Sequence, residues 1–597
     1  MFVSEKSGAF GKVKDFMTEV KTHWNTPKEG NYVPYKEYKD IFIAVGSNYA
    51  GSKMLEYISF GVGCFLIMHH YELPYLTYAI ISLINMPLNY IGSLISWYVS
   101  DNLGFLPKKS ERKVYATYFA FAIAGLTLLF WDPVTCMDIN SSFVRFFNTL
   151  NGMSATAFFK IVGTHLLYTG WTGARNIFWR KKLIPKFGRY KYSLYCDFVP
   201  KSVMVILIGW LPLYNIPDMA TRVWAANLLF ACYNVFGFAN NLETCTKSIS
   251  PNTRERILVR TYPIKLSHLF HSIIAIIIPV IIGALKDEWA DINVFRFVIP
   301  GMFITFATLT MFFAGRVQER IPQPPIEKKV QISFWDGMFG VLRNKYLWIN
   351  TLVGLLDSLG NGMLAFTTVL YLYTFRLSGL PYSLIVALVS FAGTPPDFFT
   401  PYFIKRFSYK QIMIFYQLSR ALGYTAIALA LNFFGDNLVL CGTICVVVLI
   451  FMEATSTVPK SAAHDMNVRI TDYQMYLSGE RLENYSGVYS NAGIFSWFTG
   501  PITSFVGLII PLILLTAGFN GNWDVLFIDS ARFSIIIVPL IIEIVGYFLM
   551  TIPFMFWDYD SSKQEQVMQV LQRRAEVTEG LAKKEEQAVT VNAGKGD

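Results

Sequence analysis

Charge is scarce in this chain of 597 residues: Asp, Glu, Lys and Arg together make up 15% of it, where soluble proteins carry about 25%. With 53% hydrophobic and 16% aromatic residues and a mean hydropathy of +0.39, a water-soluble globular fold is excluded. The ~10-residue alternation that marks membrane barrel strands is missing too, which excludes a barrel. Cysteines are few and scattered, at Cys64, Cys136, Cys196, Cys232, Cys245, Cys441 and Cys445. Cys441 and Cys445 stand four apart on one helix, but no His or Cys at ligand spacing surrounds them, so no metal site is expected. A Gly-rich phosphate loop, a Walker lysine and an HExxH motif are absent. Neither an enzyme activity nor a resident cofactor is therefore expected. Uphill transport would have to draw on an ion gradient. The first ~40 residues are polar and lysine-containing, unlike a cleavable signal, so the first span inserts directly.

Long apolar runs are abundant. Blocks of about 18 to 25 residues match the length an α-helix needs to cross ~30 Å of hydrocarbon, and in lipid the backbone must be satisfied within each segment. The runs lie near 47–70, 76–99, 114–132, 152–173, 191–213, 221–242, 264–286, 294–315, 346–373, 382–403, 410–433, 437–457, 486–517 and 532–557. The expected fold class is an all-α membrane protein of about 14 transmembrane helices, embedded in the lipid bilayer.

The net charge of +10 is not read as a nucleic-acid footprint. About 40 of the 51 Lys and Arg fall in the N-terminal segment, in Lys108–Lys113, Arg175–Lys191, Lys247–Lys265, Arg316–Lys345, Lys405–Lys410 and Lys460–Arg481, and in the C-terminal tail. These segments share one side of the membrane if the spans alternate, which predicts an even number of spans and both termini cytoplasmic. The plasma (inner) membrane is the expected location. The expected organisation is a cytoplasmic segment 1–46, a helix bundle 47–315, a cytoplasmic linker 316–345 containing Pro322, Pro324 and Pro325, a second bundle 346–557, and a cytoplasmic tail 558–597. From Lys563 to Lys584 the tail is rich in Glu, Gln, Lys and Arg and reads as a solvated helix that frays into disorder.

A weak internal echo crosses the linker. Pro185-Lys186-Phe187-Gly188-Arg189-Tyr190-Lys191 is similar to Lys405-Arg406-Phe407-Ser408-Tyr409-Lys410, each leading into an apolar span. Either the two loops match by chance, or they mark repeated halves of the kind that hold solute between them in many transporters. In the second case six spans fit the C-terminal half. The surplus pair in the other half, 114–132 and 152–173, is then a hairpin insertion (114–173).

Ionisable groups in hydrocarbon cost about 2.5–3.5 kcal/mol or more, so each is a functional candidate. Lys53 and Glu56 stand three apart on one face, either as ion or solute contacts or as a mutual salt bridge. Lys160 and His165 read as anchors to neighbouring helices, Asp197 and Lys201 as a local salt bridge, and His268 and His271 as interfacial anchors. Asp357 and Asn361 share a face beside Ser358 and Gly360 and are the preferred polar cluster of the C-terminal half. Asp397, after Pro395-Pro396, suits a gating salt bridge with a loop arginine. Arg420, Glu453 and Glu543 are deep enough to require partners, with Glu453 the leading carboxylate for coupling.

The polar island 471–484 interrupts two apolar blocks. Its pattern Asp472-Tyr473-x-x-Tyr476-x-x-Gly479-x-Arg481-x-Glu483 resembles the loop between helices ten and eleven of the glycoside–pentoside–hexuronide:cation symporters, the melibiose-permease-like branch of the major facilitator superfamily. Lys186-Phe187-Gly188-Arg189-Tyr190-Lys191 resembles that family's loop between helices two and three. Ser250-Pro251-Asn252-Thr253-Arg254-Glu255-Arg256, with Tyr262-Pro263, resembles the loop between helices four and five, and Asn344 also fits. The resemblance implies a two-bundle fold of twelve core helices plus the inserted pair. It also implies alternating access and movement of a sugar or glycoside with a cation, Na⁺ or H⁺ being the candidates. The carboxylates that this family places on helices two and four to bind the cation are missing from Asn85–Gly92 and Val235–Phe238. An acid is also missing after Lys53, where Met54 stands.

The expected partner is thus a small-molecule solute. Lys53, Glu56, Asn89, Asp357, Asn361 and Glu453 are expected to line its path. Asp397, Arg406, Asp472 and Arg481 are expected to make cytoplasmic gate contacts. The alternatives are a uniporter or lipid or organic-anion carrier of the same fold, and a membrane sensor that does not transport.

Overall fold

A computed structural model describes residues 9–59, 66–73, 108–149, 153–187, 191–236, 291–320, 333–357, 399–479, 493–506, 536–560 and 562–574, with scattered positions elsewhere between 249 and 516. All regular structure among these residues is helical. In chain order the helices are α1 (Ala9–Thr22), α2 (Tyr35–Ser59), α3 (Lys108–Phe130), α4 (Ser142–Thr149), α5 (Ala155–Phe187), α6 (Tyr192–Trp210), α7 (Met219–Val235) and α8 (Ile299–Ala314). They continue with α9 (Phe334–Leu342), α10 (345–357), α11 (Thr400–Arg406), α12 (Tyr409–Phe434), α13 (Leu438–Ser478), α14 (Ser496–Val506), α15 (Val538–Met555) and α16 (562–574). Five described helical stretches are long and apolar enough to cross a membrane: Glu111–Phe130, Val294–Ala314, Tyr409–Phe434, Leu438–Ser478 and Val538–Met555.

Local chemistry sets the helix ends. Ser408 and Gln411 form a reciprocal cap at the start of α12: Gln411 N donates to Ser408 Oγ (3.3 Å) and Ser408 N donates to Gln411 Oε1 (3.0 Å). Asn437 Oδ1 accepts from Leu440 N at 3.1 Å to open α13. That helix ends at Gly479, whose φ of +79° suits a residue without Cβ and whose N–H bonds Met475 O at 2.8 Å.

α13 corrects one expectation. The island at 471–484 reads as a loop in the sequence, yet it is helix as far as Ser478. At 1.5 Å per residue the 41 residues of α13 span about 60 Å, roughly twice the hydrocarbon thickness. Hydropathy marks where lipid ends, whereas the helix runs on until a breaker stops it. Neither Gly nor Pro occurs between Lys460 and Ser478. α5 likewise runs on to Phe187, past the expected span end at 173, and α2 begins at Tyr35, ahead of its apolar run.

α3 and α5, which hold the apolar runs 114–132 and 152–173, pack along one another. Glycines make the close approach possible. A Cβ on Gly125 would lie 2.5 Å from Leu167 N, one on Gly170 2.5 Å from Tyr118 O, and one on Gly173 2.1 Å from the Tyr118 ring. Helices in lipid gain no hydrophobic driving force from each other, so small residues that let backbones touch supply the packing. Gly170→Leu is therefore expected to force α3 away from α5, with a cost of at least the ~1–3 kcal/mol typical of overpacking. A thermal melt of the detergent-purified protein checks it, with Gly301→Leu as control, because a Cβ there meets nothing within 4 Å. Between the two helices, α4 buries Val144 and Phe147, and its Phe143 ring meets Phe158 at 5.4 Å.

Elsewhere α8 lies along α2, and α12 packs against both α13 and α15. The last three, with α10, carry the buried polar residues described next.

Candidate functional site

Two polar layers stand on these helices. The first is deep. Asp357 lies 12 residues past Lys345 on α10, Arg420 lies 11 past Tyr409 on α12, and Glu543 lies 12 before Met555 on α15. At 1.5 Å per residue, each is about 17–18 Å from the Lys- and Arg-rich end of its helix, close to the middle of a ~30 Å hydrocarbon layer. Arg420 Nη2 pairs with Glu453 Oε2 of α13 at 3.4 Å, and Lys460 Nζ meets Glu453 Oε1 at 2.8 Å. The Arg420 guanidinium lies 5.4 Å from the centroid of the Tyr416 ring, and Tyr424 stacks on Tyr547 of α15 at 5.6 Å. Two buried atoms of this layer, Gln417 Oε1 and Arg420 Nε, have no hydrogen-bond partner among the described residues. Glu543 is 3% exposed, and neither carboxylate oxygen has one either.

The second layer stands at the basic end, and similar contacts recur on either side of residues 321–332. Lys191 Nζ, at the start of α6, donates to Val317 O beyond α8 at 2.5 Å, and Lys410 Nζ, near the start of α12, donates to Met555 O at the end of α15 at 2.5 Å. These lysines are the last residues of the two echoing loops. Glu37, opening α2, binds Arg320 at 2.5 Å beyond α8, while Lys345, opening α10, binds Asp558 at 2.7 Å beyond α15. The pairs occupy matching places with the charges reversed. The segments preceding α2 and α10 are held in parallel ways. Glu255 accepts from Tyr32 N (3.0 Å), Val33 N (2.9 Å) and Ser250 Oγ (2.5 Å). Gln474 Nε2 donates to Gly340 O (3.0 Å), and Gln474 Oε1 accepts from Asn344 Nδ2 (3.1 Å).

On the C-terminal side, α16 joins this layer. Gln564 Nε2 donates to Asp472 Oδ2 at 3.1 Å, and Arg574 Nη1 donates to Tyr476 O at 2.9 Å, in the last turn of α13. Tyr346, Tyr473 and Tyr559 pack edge to face at 4.9–5.8 Å beneath it. Burial pushes the Asp558 carboxyl up, but hydrogen bonds from Lys345 and Tyr346 and the charges of Lys345 and Lys563 outweigh it and hold it at about 2. A depressed carboxylate contributes stability above its ordinary value of 3.8 and loses it as pH falls through about 2. The clasp should thus ignore pH across the neutral range. Asp558→Asn should loosen it at neutral pH, read as faster tryptic cleavage at Lys563 and Arg574; unchanged cleavage would refute the assignment.

The residues expected from sequence fall as follows. Asp357 and Glu453 share the deep layer, Glu453 between Arg420 and Lys460. Lys53 is half-buried on α2, and Glu56 follows it by three residues on the same helix, its side chain outside the described residues. Asp472 is in the basic-end layer against Gln564, and Arg406 is exposed and donates to Tyr402 Oη at 2.8 Å. Asn89, Asn361, Asp397 and Arg481 lie outside the described residues. The ion pair shown for Asp197 is with Arg175 at 3.4 Å, while Lys201 donates to Tyr233 O at 2.9 Å, which corrects the expected local pair. Lys160 sits 5.0 Å from the Trp224 ring centroid, as an anchor to α7. Sequence reasoning did not single out Glu37, Arg320, Lys345, Asp558, Gln564 or Arg574. A signal existed only in their placement, each just outside an apolar run or in the tail.

A family model described as MFS/sugar transport protein matches residues 181–561, which is 381 of 597 positions. The chain belongs to that family. It is accordingly an integral, multi-pass, all-helical membrane protein of a transporter family. The match begins at Lys181, beyond the packed glycines of the α3–α5 hairpin. No curated protein matches the chain.

Proposed function

We propose that this member of the MFS sugar-transport family is a secondary transporter that moves a small polar solute, a sugar or glycoside, by alternating access. The melibiose-permease-like branch, with cation coupling, is its proposed place in the family. The observation that carries the reading is the recurrence of the basic-end contacts: Lys191 with Lys410, Glu37–Arg320 with Lys345–Asp558, and Glu255 with Gln474. Two repeated halves that are each clasped at one end can rock as units about a solute held between them. The deep layer supplies what a sugar-sized solute needs, an arginine, carboxylates and tyrosine rings near the membrane midplane.

In this reading Lys53, Glu56, Asn89, Asp357, Asn361 and Glu453 line the path. Asp397, Arg406, Asp472 and Arg481 belong to the gate. The concentration of Lys and Arg at one end supports cytoplasmic termini in a plasma (inner) membrane. Counterflow in proteoliposomes tests the function: liposomes preloaded with unlabelled sugars or glycosides should transiently accumulate the labelled form of at least one. No exchange across a panel of mono-, di- and trisaccharides and aryl glycosides would contradict it.

A further inference from the structure

Glu543 is the buried acid that the ion pairs of the deep layer leave aside. It sits near the midplane on α15, 3% exposed, with both carboxylate oxygens lacking a hydrogen-bond partner. Polar groups of neighbouring helices act on it: Arg420 and Tyr424 of α12, Asp357 of α10, and Tyr547 one turn on along its own helix. Tyr424 is near enough to influence the carboxylate without completing a hydrogen bond to it. One turn along α15, Gly546 faces Leu356 O, 3.5 Å from where its Cβ would stand, so α10 packs on α15 beside Asp357. The Arg420 guanidinium already has Glu453 at 3.4 Å.

Physical chemistry limits what such a group can be. An ionised carboxylate out of water, with no donor to satisfy it, costs several kcal/mol, and the usual escape is to bind a proton. A metal cation would need several oxygen ligands converging on one point. Among the described residues no three acidic, His or Cys side chains converge in that way.

We propose that Glu543 is a proton-binding site and carries the coupling proton, so that the solute moves with H⁺. The inference rests on the transporter reading above and adds the identity and seat of the ion. Glu543 takes a proton from the aqueous phase on one side, crosses the transport cycle as a neutral acid, and releases the same proton to the other side. The site lies in the C-terminal half, which suits a chain whose Asn85–Gly92 and Val235–Phe238 stretches contain no carboxylate.

Infrared difference spectroscopy of the full-length protein in liposomes, titrated from about pH 5 to about pH 9, reads protonation directly. It needs no knowledge of the solute, so its failure is distinguishable from failure of the transport reading. Wild-type protein should show the C=O stretch of a protonated carboxyl, shifted in D₂O and lost as pH rises. Glu543→Gln should remove that band, and Glu543→Asp should keep it at a displaced frequency. Persistence of the band in Glu543→Gln, its absence from wild type, or its loss at fixed pH when NaCl replaces choline chloride would overturn the proposal. A second readout separates coupling from a merely structural proton. With a sugar that undergoes counterflow, an imposed pH gradient should drive accumulation by about tenfold per pH unit for one proton per solute. Glu543→Gln should abolish that accumulation and Glu543→Asp should retain part of it. Accumulation by Glu543→Gln equal to wild type would make the proton structural and sink the assignment.

Discussion

Arg420→Ala is expected to abolish transport and to destabilise the protein by about 3 kcal/mol, near the lower end of the ~3–5 kcal/mol range for breaking a buried ion pair. The side chain is 12% exposed and Glu453 is 28% exposed, so the pair at 3.4 Å is largely shielded from water. Removing the guanidinium leaves Glu453 with Lys460, which is 58% exposed and holds the carboxylate from its more solvated side. That remaining contact is why the low end of the range applies. Arg420→Met combined with Glu453→Gln leaves no uncompensated buried charge, and thermal stability should largely return. Counterflow should not, because the pair is proposed to face the solute. Thermal melts and counterflow on the two proteins separate these effects. Normal counterflow in the double variant would remove Arg420 and Glu453 from the path.

The second large effect is expected at Glu255, in the basic-end layer. Its carboxylate is fully buried and serves three donors, of which Val33 N and Ser250 Oγ are themselves on buried residues. An unsatisfied buried polar group costs about 1–3 kcal/mol. Glu255→Ala should therefore destabilise by about 3–5 kcal/mol, with Glu255→Gln recovering part of the loss because one acceptor remains. The matching residue of the other half, Gln474, makes neutral hydrogen bonds at 3.0 and 3.1 Å. Gln474→Ala should cost only about 1–3 kcal/mol. Equal effects at the two positions, measured by thermal melts of the purified variants, would show that charge assistance does not distinguish the clasps.

How far these features were readable from sequence depends on their kind. Apolar length located α3, α12 and the membrane part of α13, because the bilayer imposes a fixed requirement that leaves a direct mark in hydropathy. Helix length beyond the lipid was not readable that way, which is why the island around Asp472 and Tyr476 looked like a loop. Its motif nevertheless has helical logic: Tyr473 stacks on Tyr476 at 5.8 Å, and Gly479 is where the helix must stop. The resemblance at Ser250 and Glu255 pointed to residues whose hydrogen bonds tie the chain before α2 to the segment after α7. Ion pairs across long sequence separations were beyond reach. Glu37 and Arg320 are 283 residues apart, and nothing in either neighbourhood names the other. Asp197 shows the limit of local reasoning. Lys201 at i+4 was the natural partner by spacing, but Arg175 on α5 meets it in space.

The central claim is that two repeated halves, each clasped at its basic end, rock against one another. The echoing loops offer exposed and equivalent positions for labels at Lys186 and Arg406. Pulsed electron spin resonance on the Lys186→Cys, Arg406→Cys pair, in a background lacking the native cysteines and reconstituted in lipid, measures the distance between the halves directly. Two distance populations are expected, with proportions that shift when a sugar active in counterflow is added. A single distance, unchanged by any such sugar, would contradict the account.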